Sequence, residues 1–133
     1  MLAAIADTHT AIWYLFADQR LGPIASDFID ATRAAGDRIG ISAISLAEMI
    51  YLLEKQAHSR NALDDVLAAI CNPKSVLQEV QFDTRIVMKM RQIPREDIPD
   101  LPDRIIAATA YFYGVPVISR DRRIRSSSIQ TVW

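Results

Sequence analysis

A single cysteine, Cys71, and two histidines are all that 133 residues provide of the softer metal ligands. One thiol cannot make an internal disulfide framework, and so few sulfur and imidazole ligands cannot close a structural zinc site. A reducing, cytoplasmic setting is therefore expected. The four glycines are scattered, so no glycine-rich phosphate loop is present. The chain also lacks a basic excess: 15 lysines and arginines face 16 acids, for a net charge of -1 and a pI near 6.1. That balance excludes the overall positive field of a protein that wraps duplex nucleic acid, so any nucleic-acid contact must be local. No long apolar run occurs. Met1 to Ala6 has no basic leader and is interrupted by Asp7, which argues against export and membrane insertion.

Half of the residues are apolar, enough to bury a full core and leave apolar surface for a partner or a second copy. The length suits one domain spanning 1–133. The one local cationic excess is Arg120, Arg122, Arg123 and Arg125, with Asp121 among them. On its own it reads equally well as a solvated basic face.

Periodicity predicts alternating strands and helices. Leu2 to Ala6 and Arg38 to Ser42 are apolar runs of strand length, Val76 to Phe82 reads as a strand, and Val115 to Ser119 is the clearest strand after the first. A last short strand is expected within Ile129 to Trp133. Helical spacing covers Thr10 to Ala17, Pro23 to Ala35, Leu46 to Gln56, Asn61 to Cys71, Asp83 to Gln92 and Arg104 to Tyr113. Gly36 and Gly114 stand where helix C-termini favour glycine, and the Leu46 and Asn61 helices are expected to pair. Ile93 to Pro102, with three prolines, reads as an exposed loop. The pattern implies an α/β fold, a three-layer α/β/α sandwich around a mainly parallel sheet.

Four acids fall where such a layout collects functional groups: Asp7 at the end of the first strand, Glu48 just after the second, Asp103 at the start of the late helix, and Asp121 just after the Val115 to Ser119 strand. Each has a plain helix-capping explanation. Ser45 and Glu48 match a capping box, and Asp100 offers a cap with Pro102 and Asp103 in the first turn. Asp121 suits the start of a short helix, and Asp7 offers a bond to the backbone of Thr8 and His9. Jointly they mean something else. Carboxylates ~5 Å apart repel by roughly 3 kcal/mol per pair at an effective dielectric of about 20, so a convergent set either has raised pKa values and shared protons or is neutralised by a bound divalent cation. All-oxygen ligation favours magnesium (Mg2+) or manganese (Mn2+), and such an ion activates water for attack on a phosphodiester and stabilises the leaving oxygen.

These residues resemble a family. Ala6-Asp7-Thr8-His9-Thr10-Ala11-Ile12-Trp13 looks like the opening of VapC-type PIN-domain toxins, and Ile41-Ser42-Ala43-Ile44-Ser45-Leu46-Ala47-Glu48 looks like their second motif. Asp100 to Ala108 resembles the third, Val117-Ile118-Ser119-Arg120-Asp121 the fourth, and Val132-Trp133 a common family ending. The motifs run in family order along the whole chain.

The resemblance implies a PIN fold, magnesium- or manganese-dependent endoribonuclease activity, homodimerisation, and neutralisation by a small VapB-like antitoxin. It assigns Asp7, Glu48, Asp103 and Asp121 to the acidic site, with Asp100, Ser119 and Thr8 as supporting residues. In the mechanism expected, Asp7, Asp103 and Asp121 hold one or two ions, and Glu48 completes the ligand set or positions the attacking water. Arg120, Arg122, Arg123 or Arg125 would contact the RNA backbone. The chain departs from the family in one place: Leu101 intervenes where a proline often follows the first aspartate of the third motif. His9 is expected to be structural.

Two rival readings remain at the level of sequence. One is a noncatalytic PIN-like module that binds RNA or protein. The other is a phosphotransfer enzyme on another doubly wound fold, although Asp7-Thr8-His9-Thr10 lacks the second aspartate used by haloacid-dehalogenase-like enzymes.

Overall fold

A computed structural model describes residues 1–55 and 60–133. The elements run β1 (Leu2–Ala6), α1 (Thr8–Leu15), α2 (Pro23–Ala34), β2 (Arg38–Ser42), α3 (Ala43–Glu54), α4 (Arg60–Cys71), β3 (Leu77–Val80), α5 (Thr84–Met90), α6 (Leu101–Tyr113), β4 (Val117–Ile118), α7 (Arg122–Ser126) and β5 (Thr131–Val132). All four strand pairings are parallel, in the order β3-β2-β1-β4-β5. The three-layer α/β/α sandwich with a parallel sheet is the architecture expected.

Strand apolarity divides the core. Ile5 packs with Ile86, Ile105, Ile106 and Ile124 of α5, α6 and α7, whereas its neighbours Ala4 and Ala6 face Ala11, Ala25, Ile29, Met49 and Val66 of α1 to α4. Successive strand residues point to opposite faces, so a sheet buried on both sides requires continuous apolar runs. Gly40 is required by close approach: a Cβ there would lie 2.7 Å from both Ile5 Cδ1 and Val80 Cγ2.

The strand order places the topological switch beside β1. β2 and β3 lie to one side and β4 and β5 to the other, so the carboxyl ends of β1 and β4 open a crevice between diverging loops. Helix starts crowd that edge. α1 follows β1 after one residue, α3 follows β2 directly, and α7 follows Asp121.

Several boundaries differ from the sequence reading. α1 and α6 begin earlier than expected because Asp7 and Asp100 cap them, and Pro102 sits in the first turn where its missing N–H costs nothing. The Ile93 to Pro102 loop thus ends at Asp100. β3 and β4 are shorter than the runs that suggested them. α3 and α4 do pack together; Gln56, where the α3 pattern was expected to end, lies outside the described residues. The Ser45 capping box does not form. Ser42 Oγ accepts from Ile44 N at 3.3 Å and starts the helix three residues sooner, which moves Glu48 into the second turn. Among the described residues, no helix is long and apolar enough to cross a membrane.

Candidate active site

The crevice holds a cavity of about 190 Å³ lined by Asp7, Thr8, His9, Glu48, Asp100, Asp103 and Asp121. All four acids singled out from the sequence meet there, with Asp100 beside them. They come from the ends of β1 and β4, from α3 and from the start of α6, across more than a hundred residues of chain.

Capping and site formation are compatible in this arrangement. Asp7 Oδ1 accepts from Thr10 N at 2.8 Å, rather than from the backbone of Thr8 or His9. Asp121 Oδ1 accepts from Arg123 N at 2.9 Å and Ile124 N at 3.2 Å, and Asp100 Oδ2 accepts from Asp103 N at 3.0 Å. Each of these three carboxylates commits one oxygen to a helix N-terminus, and no described donor bonds to the other. The helix ends fix the side chains while leaving an oxygen for a ligand.

Glu48 is held differently. Thr8 Oγ1 hydrogen-bonds Glu48 Oε1 and lies 3.0 Å from Ser45 Oγ. An ionised carboxylate only accepts, so Thr8 spends its single proton on Glu48 and the Ser45 hydroxyl supplies the proton of the second bond. Both hydroxyls are buried, at 2% exposure for Thr8 and 0% for Ser45. Ser45, first taken as a cap, is instead the base of a relay that orients Glu48. Sequence reading missed that role because it depends on α1 lying against α3. Ser119 supports Asp121 in a similar way: its buried Oγ accepts from Asp121 N at 3.0 Å.

The acids shape each other's charge. Burial pushes the Asp103 carboxyl up to about 7, and the neighbouring charges of Asp100, Asp121, Asp7 and Glu48 add to the rise. Asp7 is itself 7% exposed, while Asp100 is exposed at the rim.

The donor set fits a hard divalent cation, because it is all oxygen, anionic and partly desolvated. Among the described residues, however, no group of three acids is gathered tightly enough to ligate one ion as it stands. The side chains surround the cavity without converging to a point.

The arginines separate by position. Arg120 lines a second cavity next to this one, whereas Arg122, Arg123 and Arg125 line neither. Arg123 donates instead to the carbonyl of Glu96. His9 is exposed and lines both cavities, with its ring 5.6 Å from that of Trp13.

Comparison with known proteins agrees with this layout. The PIN domain family model matches residues 4–128. Ribonuclease VapC22 of Mycobacterium tuberculosis is 29% identical over 126 residues, which cover 95% of this chain and 92% of that protein. The VapBC2 structure from Rickettsia felis, bound to a DNA fragment from its promoter, aligns with a TM-score of 0.74 at 13% identity, over 98% of this chain and 97% of that one. DNA-bound VapBC from Salmonella typhimurium aligns at 0.69 and 25% identity, with the same coverage. The chain belongs to the PIN-domain family and is homologous to VapC-family toxins.

Proposed function

We infer that this chain is a magnesium- or manganese-dependent endoribonuclease, the toxin of a toxin–antitoxin pair, acting in the cytoplasm as one PIN-like domain over 1–133. The observation that carries the reading is the convergence of Asp7, Glu48, Asp103 and Asp121 on one cavity, where Asp103 is raised to about 7. Five carboxylates, Asp100 included, around so small a space make sense as a cation site. The ribonuclease name of the mycobacterial relative supports the substrate class.

In this reading Asp7, Asp103 and Asp121 would hold the cation. A bound magnesium or manganese ion supplies a more acidic water and an electrophilic contact for the phosphate. Glu48, held by the Thr8–Ser45 relay, completes the ligand set or orients the water for attack. Ser119 keeps the backbone of Asp121 in place, and Asp100 at the rim adds to the field that raises the Asp103 carboxyl. Hydrolysis in this sense leaves a 3'-hydroxyl and a 5'-phosphate. Arg120 is the best placed of the four arginines to meet the RNA backbone.

The partners proposed are a small VapB-like antitoxin and a second copy of the chain. Two of the similar structures are VapBC complexes, and Ile50, Tyr51 and Leu67 on α3 and α4 provide exposed apolar surface for such contacts. A noncatalytic PIN-like binding module is the second reading, favoured by the lack of three acids at ligating spacing among the described residues.

Sequencing of RNA 5' ends from bacteria expressing the chain or its Asp7→Asn variant tests the enzyme. Recurrent 5'-phosphate ends confined to the unmodified protein are expected. Identical end profiles, with both proteins folded and expressed alone, would favour the binding module.

A further inference from the structure

The second cavity, of about 270 Å³, shares Asp7, His9 and Asp121 with the acidic one and is completed by Trp13, Arg20 and Arg120. The acid chemistry does not need this space, and its other wall is of opposite character, made of one indole ring and two guanidiniums. Trp13 is only 5% exposed and packs against Trp133, with ring centroids 6.0 Å apart, and against His9 at 5.6 Å. Two guanidiniums lie over its ring, Arg120 at 4.7 Å and Arg20 at 5.2 Å.

The two arginines differ in what they have left to give. Arg20 forks onto Asp18, with Nε to Oδ1 at 3.0 Å and Nη2 to Oδ2 at 2.7 Å, and holds that carboxyl down to about 2. Arg120 has neither a carboxylate partner nor a side-chain hydrogen bond among the described residues. Its place over the Trp13 ring uses none of its N–H donors, which stay available to an anion, and a guanidinium can take a phosphate in a bidentate manner. Arg120 precedes Asp121 in the chain, so an anion held there lies directly beside the acidic cavity.

We propose that this cavity seats the nucleotide next to the scissile phosphate of a single-stranded RNA, with Arg120 binding its phosphate. The choice of RNA rests on the ribonuclease reading above; a single strand is chosen because the cavity, of about 270 Å³, has room for one nucleotide and its exposed His9 suits an unpaired base. Trp13 is too buried to take a base and serves as the platform that fixes Arg120. The exposed His9 ring is the surface on which an unstacked base would lie.

The test is fluorescence anisotropy with a short, mixed-sequence, end-labelled single-stranded RNA across a salt series, in an Asp7→Asn background with magnesium present. Adding Arg120→Ala is expected to weaken binding about 10-fold and to reduce the slope of log affinity against log salt by about 0.7, the value for one phosphate of a single strand. Arg120→Lys, which keeps charge without the planar guanidinium, should fall between the two, and Lys74→Ala, at the opposite, amino-terminal edge of the sheet, should match the parent. Equal effects of Arg120→Ala and Lys74→Ala, or a loss with unchanged salt slope, would overturn the proposal. Cleavage by the unmodified protein is scored in parallel. RNA that is cut while Arg120→Ala binds normally sinks the subsite alone; Arg120-dependent binding without cutting sinks the nuclease and keeps the subsite.

Discussion

Asp103 links cation binding to pH, and the link has a calculable size. Its carboxyl, raised to about 7 by burial and then by Asp100, Asp121, Asp7 and Glu48, is protonated in much of the cation-free protein at neutral pH. A carboxyl of that kind is about 10% ionised at pH 6 and about 90% at pH 8, and only the ionised form ligates. The apparent affinity for manganese is therefore expected to rise about 10-fold between those values, with about half a proton released per ion at pH 7. Isothermal titration calorimetry in buffers of different ionisation enthalpy measures both quantities. Asp103→Asn should abolish the pH dependence along with much of the affinity. Asp100→Asn, which removes the largest neighbouring charge but leaves the burial, should move the midpoint to lower pH. Affinity that is flat with pH, or a binding enthalpy independent of buffer, would refute the assignment of Asp103 to the cation site.

The same shift acts on stability without metal. The folded-state value of Asp103 lies above its ordinary 3.8, so the stabilisation it provides is fully present below about pH 4 and is lost as pH rises through 7. After allowance for solvent screening at a half-buried site this is worth about 1–2 kcal/mol, and Asp103→Asn should raise the Tm of chelated protein at pH 8 by roughly 3–8 °C; an unchanged or lower Tm would contradict it. Thr8→Val removes the bond to Glu48 and should lower kcat about 10-fold with little change in KM, with Thr8→Ser restoring most of the rate; equal loss in both variants would point to packing instead. Gly40→Ala should cost about 1–3 kcal/mol in denaturant unfolding, because its Cβ would press on Ile5 and Val80, and a neutral result would show that the sheet yields there.

The fold was legible because a parallel sheet buried on both faces writes itself as apolar runs such as Leu2–Ala6 and Arg38–Ser42, alternating with amphipathic segments. The four acids were legible for the same reason, since strand ends and helix starts are countable. Glu48 shows where local signals stop. Ser45 and Glu48 have the spacing of a capping box, but Ser42 is the end of β2 and takes the cap first, which frees Ser45 for Thr8. The outcome depends on a contact between α1 and α3 that no local pattern encodes. Arg120 is a second case. In sequence it is one of four similar arginines, and only its place over Trp13 of α1, which packs against Trp133, distinguishes it. The dichotomy between cap and site acid also dissolves in three dimensions, because a carboxylate has two oxygens and Asp7 and Asp121 spend only one on the helix.

The most direct measurement is cleavage of a panel of total RNA by purified, partner-free protein with magnesium or manganese, beside a chelated sample and an Asp7→Asn variant. Discrete cuts bearing 5'-phosphates are expected with metal, and none in the chelated or Asp7→Asn samples. RNA left intact by folded protein shown by calorimetry to have bound manganese would contradict the ribonuclease reading.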